Sequence, residues 1–209
     1  MEMIGGNRME GIFFFWLFWI FWIITTFFMS KSRLRLVLSA AILSVIILST
    51  YTMKWFTLNI SASSLFLLLA TYVIMAKQKG RKGLYLFITS FIIMLAFTTF
   101  HLYELYDPVW LIFDRNMMLS FLLTYITLLL HHDVKFRIIT LICGSIHGEI
   151  LYAAILKHIT PSYLIGSFAY LDVISISLGL LLIINGFKKV SSYFEYQIKH
   201  LERGKQKPS

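Results

Sequence analysis

The sequence predicts an all-α membrane protein, a bundle of seven transmembrane helices with the N-terminus outside, the C-terminus cytoplasmic and a C-terminal amphipathic helix. Three observations predict it. Of 209 residues, 58% are hydrophobic and 14% charged, and the mean hydropathy is +0.77, far from the ~25% charge of an ordinary soluble domain. Seven apolar stretches approach the roughly 20 residues that a helix rising ~1.5 Å per residue needs to cross a ~30 Å hydrocarbon core. Between them, Lys and Arg gather at alternate turns.

The first stretch, 11–29, reads GIFFFWLFWIFWIITTFFM and holds ten aromatic residues. It is too long and too aromatic for a cleavable signal peptide, so it is expected to remain as an anchor. Trp16, Trp19 and Trp22 recur every three positions, which suits a bulky lipid-facing or packing surface better than a ligand-stacking site. The second and third stretches, 36–53 and 56–76, are separated in the tightest reading by Lys54 and Trp55 alone, which suggests a short helical hairpin. The fourth to seventh follow at 84–103, 109–130, 138–156 and 163–186. The short HITPS connection makes the last two antiparallel neighbours. The division is therefore a short external segment, 1–10, a membrane domain, 11–186, and a basic tail, 187–209.

Charge tests this count independently, because cytoplasmic loops of membrane proteins carry an excess of Lys and Arg. One side receives fifteen of the nineteen basic residues, in groups at 31–35, 77–82, 135–137 and 188–207. The other receives Arg8, Lys54, Arg115 and Lys157 with Glu2, Glu10, Glu104, Asp107 and Asp114. Six or eight helices would break the alternation. The net charge of +9 is thus a topology signal in short loops, and nucleic-acid binding is not expected.

The aromatic opening MEGIFFFWLFWIFWI, the basic SKSRLR turn and a seven-span chain with a basic tail resemble the YphA-type membrane proteins of Gram-positive spore-forming bacteria. The resemblance covers essentially the whole chain and implies a multi-pass cell-membrane location. It implies no mechanism, since that family carries no assigned biochemical activity. The leader MEMIGGNR before Met9 departs from the pattern, so translation starting at Met1 and at Met9 both stay open.

Charged side chains at membrane depth cost about 2.5–3.5 kcal/mol each on insertion scales, and so face the bundle interior and pair. His147, Glu149 and Asp172 all fall near the midplane when counted from the expected helix ends. His147 and Glu149 diverge by about 200° on one helix, so at most one of them points squarely at Asp172. Gly144 and Gly148 form a small-xxx-small pair that admits a neighbouring backbone. The cluster reads either as a hydrogen-bonded clasp between helices or as a proton-relay or ion-coordinating site. A second group, His101, Glu104, Asp107, Asp114 and Arg115 with Asn116, brackets DPVW and reads as solvated loop ends or the rim of an external vestibule. The run His131 to Asp133 suits a helix terminus, since adjacent histidines diverge and no third metal ligand accompanies them. The lone Cys143 is expected to pack as a small apolar residue.

Past residue 186, Phe187, Val190, Phe194, Ile198 and Leu201 share a helical face while lysines occupy others. This suits a helix lying on anionic headgroups at the cytoplasmic face or continuing the seventh span, and a docking helix for a protein partner is the alternative. No HExxH, GxSxG, P-loop or dinucleotide motif is present, so no catalytic residue, metal or cofactor is expected. The favoured function is a non-enzymatic membrane protein that binds a partner or lipid. The alternatives are a small proton- or ion-coupled carrier using Glu149 and Asp172, and an intramembrane metal-dependent hydrolase.

Overall fold

The computed structural model describes residues 10–55, 58–157 and 163–205. Seven α-helices carry the fold: α1 (Ile12–Ile23), α2 (Arg33–Leu48), α3 (Ala62–Ala76), α4 (Arg81–Tyr106), α5 (Arg115–Leu130), α6 (Val134–Leu156) and α7 (Phe168–Lys205). A π-helical turn, Ile24–Phe28, extends α1. There Thr25 Oγ1 donates back to the carbonyls of Phe21 and Trp22, a local bond that competes with the helical ladder. Ser32 caps α2, accepting from the Arg35 N–H.

Helix order is readable from the cross-helix contacts. Thr89 meets Thr140 through His131, and Ile93 packs at Gly144, Phe97 at Gly148 and His101 at Tyr152, so α4 and α6 run parallel in a register offset by 51. Ser120 reaches the Val173 carbonyl and Thr124 that of Ser177, which makes α5 parallel to α7. Asp172 lies at the start of α1 and Gly179 beside Leu17 and Phe21, so α1 runs with α7 as well. Ser145 meets Tyr170 and Arg137 meets Asn185, while Tyr72 meets His147 and Ser64 lies at Gly166, so the odd-numbered helices α1, α3, α5 and α7 share one direction and α4 and α6 run the opposite way. The core between them contains Phe14, Phe97, Leu119, Leu123, Leu141, Ile174 and Leu181.

Among the described residues, three helical segments are long and apolar enough to cross a membrane: Arg81–Tyr106, Val134–Leu156 and Phe168–Glu195. Ile12–Phe28, Ala62–Ala76 and Arg115–Leu130 are shorter apolar helices.

Three expectations are corrected. The fold is not purely α: β1 (Thr52–Trp55) and β2 (Leu58–Ser61) form an antiparallel pair, and β3 (Leu164–Ile165) joins β2 in parallel. The link between the second and third helices is therefore this pair of strands and not a helical hairpin. Hydropathy counted its apolar residues as helix ends, whereas the threonines and aromatics of the segment favour a pleated strand. Helix α7 starts at Phe168, after β3, rather than at 163, which places Asp172 about 6 Å from the start of the helix. Helix α7 continues to Lys205, which is the second of the two courses expected of the tail. The HITPS connection, the residues up to Met9, the side chains of Ile198 and Leu201, and the chain from 206 lie outside the described residues.

Candidate functional site

The three polar residues His147, Glu149 and Asp172 turn to three different partners. Asp172, 1% exposed, accepts from the Gly11 N–H through Oδ2 and from the Phe14 N–H through Oδ1, both at 2.7 Å, so the carboxylate of α7 caps the N-terminus of α1. Gly11 adopts φ 89°, a conformation glycine reaches without strain. His147 faces α3: its Nδ1 donates to the Cys143 carbonyl at 2.6 Å, and its Nε2 meets the Tyr72 hydroxyl at 2.5 Å. With Nδ1 carrying the proton, the neutral ring accepts from Tyr72. Cys143 is buried, as its small side chain permits. Among the described residues no group of three or more His, Cys, Asp or Glu is placed to hold a metal ion.

Glu149 belongs to another constellation. It is 1% exposed and lies about 10 Å from the C-terminal end of α6. Its Oε1 accepts a long hydrogen bond, 3.4 Å, from the Tyr163 hydroxyl, and its Oε2 has no hydrogen-bond partner. The backbone N–H groups of Gly166 and Ser167 approach the carboxyl group without closing a bond to Oε2. Gly166 makes that approach possible: at φ 78° it turns the chain from β3 into α7, and a Cβ there would strike Ser64.

A cavity of about 250 Å³ opens beside Glu149, walled by α4, α5, α6, α7 and the segment between β3 and α7. Phe97, His101, Arg115, Asn116, Tyr152 and Tyr163 are among its lining residues. The packing of Gly148 on Phe97 fixes the depth at which α4 meets α6, and one turn further the His101 ring lies 5.0 Å from that of Tyr152, tilted by 46°. His101 Nδ1 donates to the Phe97 carbonyl at 3.0 Å, within its own helix. Arg115 pairs with Glu104 at 3.7 Å, the one ion pair among the described residues.

His101 and Arg115 thus reach the cavity with Glu149, and Glu104 borders it through Arg115. Asp107 and Asp114 do not; they cap local structure, Asp107 accepting from the Val109 N–H and Asp114 from those of Asn116 and Met117. Sequence reasoning joined Glu149 to Asp172 and left the vestibule residues apart. The signal that would have joined them is the glycine pair: extending the contact of Gly148 with Phe97 by one turn brings His101 to Tyr152, on the face of α6 that Glu149 shares. The contribution of Tyr163 and Tyr170 carries no comparable signal, because it depends on the turn at Gly166.

At the opposite end, His131 is a buried hub whose Nε2 lies 2.9 Å from Thr89 Oγ1 and 3.0 Å from Thr140 Oγ1. Arg137, 2% exposed, donates Nε to the His131 carbonyl at 2.6 Å and Nη1 to Asn185 Oδ1 at 2.9 Å.

The family model for YphA-like integral membrane proteins matches residues 10–207. The chain belongs to that family. Among curated proteins, the chain is 26% identical over 205 residues to uncharacterized protein YphA of Bacillus subtilis (strain 168), covering 96% of this chain and 100% of that one. No solved structure matches. Membership in the YphA-like family makes the chain an integral membrane protein and adds no chemistry to the cavity.

Proposed function

We propose that this YphA-like protein is a non-enzymatic, seven-span protein of the cell membrane that binds a small solute in the cavity beside Glu149. One observation carries the reading: separate segments bring polar side chains around a fully buried carboxylate whose Oε1 takes a long bond from Tyr163, whose Oε2 has no hydrogen-bond partner, and which the N–H groups of Gly166 and Ser167 approach without closing that gap. A buried polar group left without partners costs about 1–3 kcal/mol, more when charged, so such a site is retained for something it meets. The shared direction of the odd-numbered helices supports an external N-terminus and a cytoplasmic C-terminus, with the lysine-rich turns inside. The cavity then opens outward. Lys188 and Lys189 on α7 favour anionic headgroups at the inner face, and the same segment offers a surface to a protein partner.

The carrier reading loses half of its coupling pair, because Asp172 spends both oxygens on α1. For a hydrolase, His147, Glu149 and Asp172 would have to converge, and each is engaged elsewhere.

The test combines topology with access. Reporter fusions after Lys82 and at the C-terminus should report the cytoplasm, and one after Asp107 the exterior. In a Cys143→Ser background, Leu164→Cys should react with a membrane-impermeant maleimide added outside. A cytoplasmic signal after Asp107, or a thiol reached only from inside, would refute the reading.

A further inference from the structure

We propose that the cavity beside Glu149 recognises the ammonium group of a small primary amine. This rests on the cavity being a solute site and names the class of solute. Glu149 is the anchor: it is 1% exposed, Oε2 has no hydrogen-bond partner, and the bond from Tyr163 to Oε1 is long at 3.4 Å. A buried carboxylate offers acceptor sites only, so its complement is a cation with several donors, and a primary ammonium carries three.

The charge of the lining selects the same sign. Glu10 and Glu149 both border the space, whereas the positive charge of Arg115 is met by Glu104 at 3.7 Å. With Glu149 ionised, as beside a bound cation, two carboxylates face one guanidinium that is already paired, and an anionic ligand would have to displace that pair. Aromatic rings add to the selection, since Phe97, Tyr152, Tyr163 and Tyr170 all line the space. Ring faces attract ammonium groups by about 0.5–2 kcal/mol, more as the site is desolvated.

Size and donor set exclude a bare inorganic ion as the better fit. The volume, about 250 Å³, far exceeds the ~10–15 Å³ that admits one water, so a lone ion would leave it mostly unfilled. A calcium-like cation takes roughly six to eight oxygen ligands, and no group of three ligating side chains stands among the described residues. An organic amine fills the space with its body and satisfies Glu149 with its head.

The experiment uses the full chain in lipid nanodiscs, titrated calorimetrically with ethylamine and ethanolamine, and with acetamide and propionate as neutral and anionic counterparts. The amines should bind, and Glu149→Gln should weaken them about tenfold or more, the scale of one charge-assisted hydrogen bond. The amide keeps the shape of the side chain, and its thermal midpoint should match or exceed that of the parent. Tyr163→Phe should weaken the amines by a smaller factor. Equal amine affinity in Glu149→Gln, or no amine binding at millimolar concentration, overturns the proposal. Binding of propionate or acetamide instead, lost in His101→Ala, overturns the ammonium class while leaving the cavity a solute site. No binding by any probe, with Leu164→Cys unreachable from outside, overturns both.

Discussion

Asp172 holds the backbone N–H of Gly11 at 2.7 Å across 161 positions of sequence. The second oxygen takes the Phe14 N–H at the same distance, so one carboxylate satisfies two of the donors that the start of α1 leaves open. The first and seventh helices are thereby joined at one end by a charge-assisted cap rather than by apolar contact alone.

Asp172→Ala is expected to lower stability by about 2–3 kcal/mol, since two buried N–H groups lose a charged acceptor. Asp172→Asn, with one acceptor oxygen instead of two, should lose roughly half of that. Chemical unfolding of the detergent-solubilised protein measures both. If Asp172→Ala unfolded with the parent, the cap would contribute nothing.

Gly144 and Gly148 set how closely α4 approaches α6. A Cβ on Gly144 would lie 2.6 Å from both Ile93 Cβ and the Ser90 carbonyl, and one on Gly148 would lie 2.8 Å from Phe97 Cβ. Backbone atoms and Cβ atoms cannot swing aside as a side-chain tip does. Gly144→Ala should therefore cost about 1–3 kcal/mol, the usual range for overpacking. Gly148→Ala should cost a similar amount and also shift His101 against Tyr152, which weakens ligand binding beside Glu149. Stability and calorimetry on the same sample separate the two effects.

The helices were legible because their apolar runs are long and the charges between them keep one sign at alternate turns. Residues 52–61 were not, because hydropathy cannot tell strand from helix in a short apolar run; β-branched and aromatic content carried that information. The site shows the same division. Sequence marked Glu149, His101 and Arg115 as polar residues in need of an explanation, yet their meeting depends on α4 running parallel to α6, a relation at a register offset of 51 that no local spacing encodes. Counting from Tyr163 overstates the distance of Asp172 from the helix start, because α7 begins at Phe168.

Stability should fall in mild acid through His131. This residue lies between α5 and α6, and burial, helped by the nearby Arg137 charge and opposed by Asp133, holds its pKa below the ordinary 6.5. The fold therefore favours the neutral ring. The contribution is fully present above about pH 6.5 and is lost as pH falls from there through the lowered folded value. Thermal midpoints measured between pH 7.5 and 5 should decline, and His131→Gln should flatten that decline. An unchanged slope in the variant would remove His131 as its source.

Arg137 ties the same loop to α7, and it does so with no carboxylate within 4 Å among the described residues. Two fixed N–H groups diverge to the His131 carbonyl and Asn185 Oδ1, a fork that a lysine cannot reproduce with its single ammonium. Arg137→Lys should lose about 1–2 kcal/mol, and Arg137→Ala more, because the two acceptors are then left buried without donors. Asn185→Leu should lose less than Arg137→Ala, since the His131 bond survives. Equal stability of Arg137→Lys and the parent would show that the fork is not needed.

Helix α1 has a buried face and an exposed one. Phe14 and Phe18 are buried, whereas Trp16 is 69% exposed and Trp19 46% exposed. In a membrane those indoles face acyl chains, so lipids brominated along the chain should quench their fluorescence strongly. The same geometry sets the energetics. Phe14→Ala empties a core position and should cost about 3–5 kcal/mol, while Trp16→Leu exchanges one lipid-facing surface for another and should change stability by less than about 0.5 kcal/mol. Trp16 protected from brominated lipid, or a large loss on Trp16→Leu, would mean that the stripe is covered by a second chain instead of lipid.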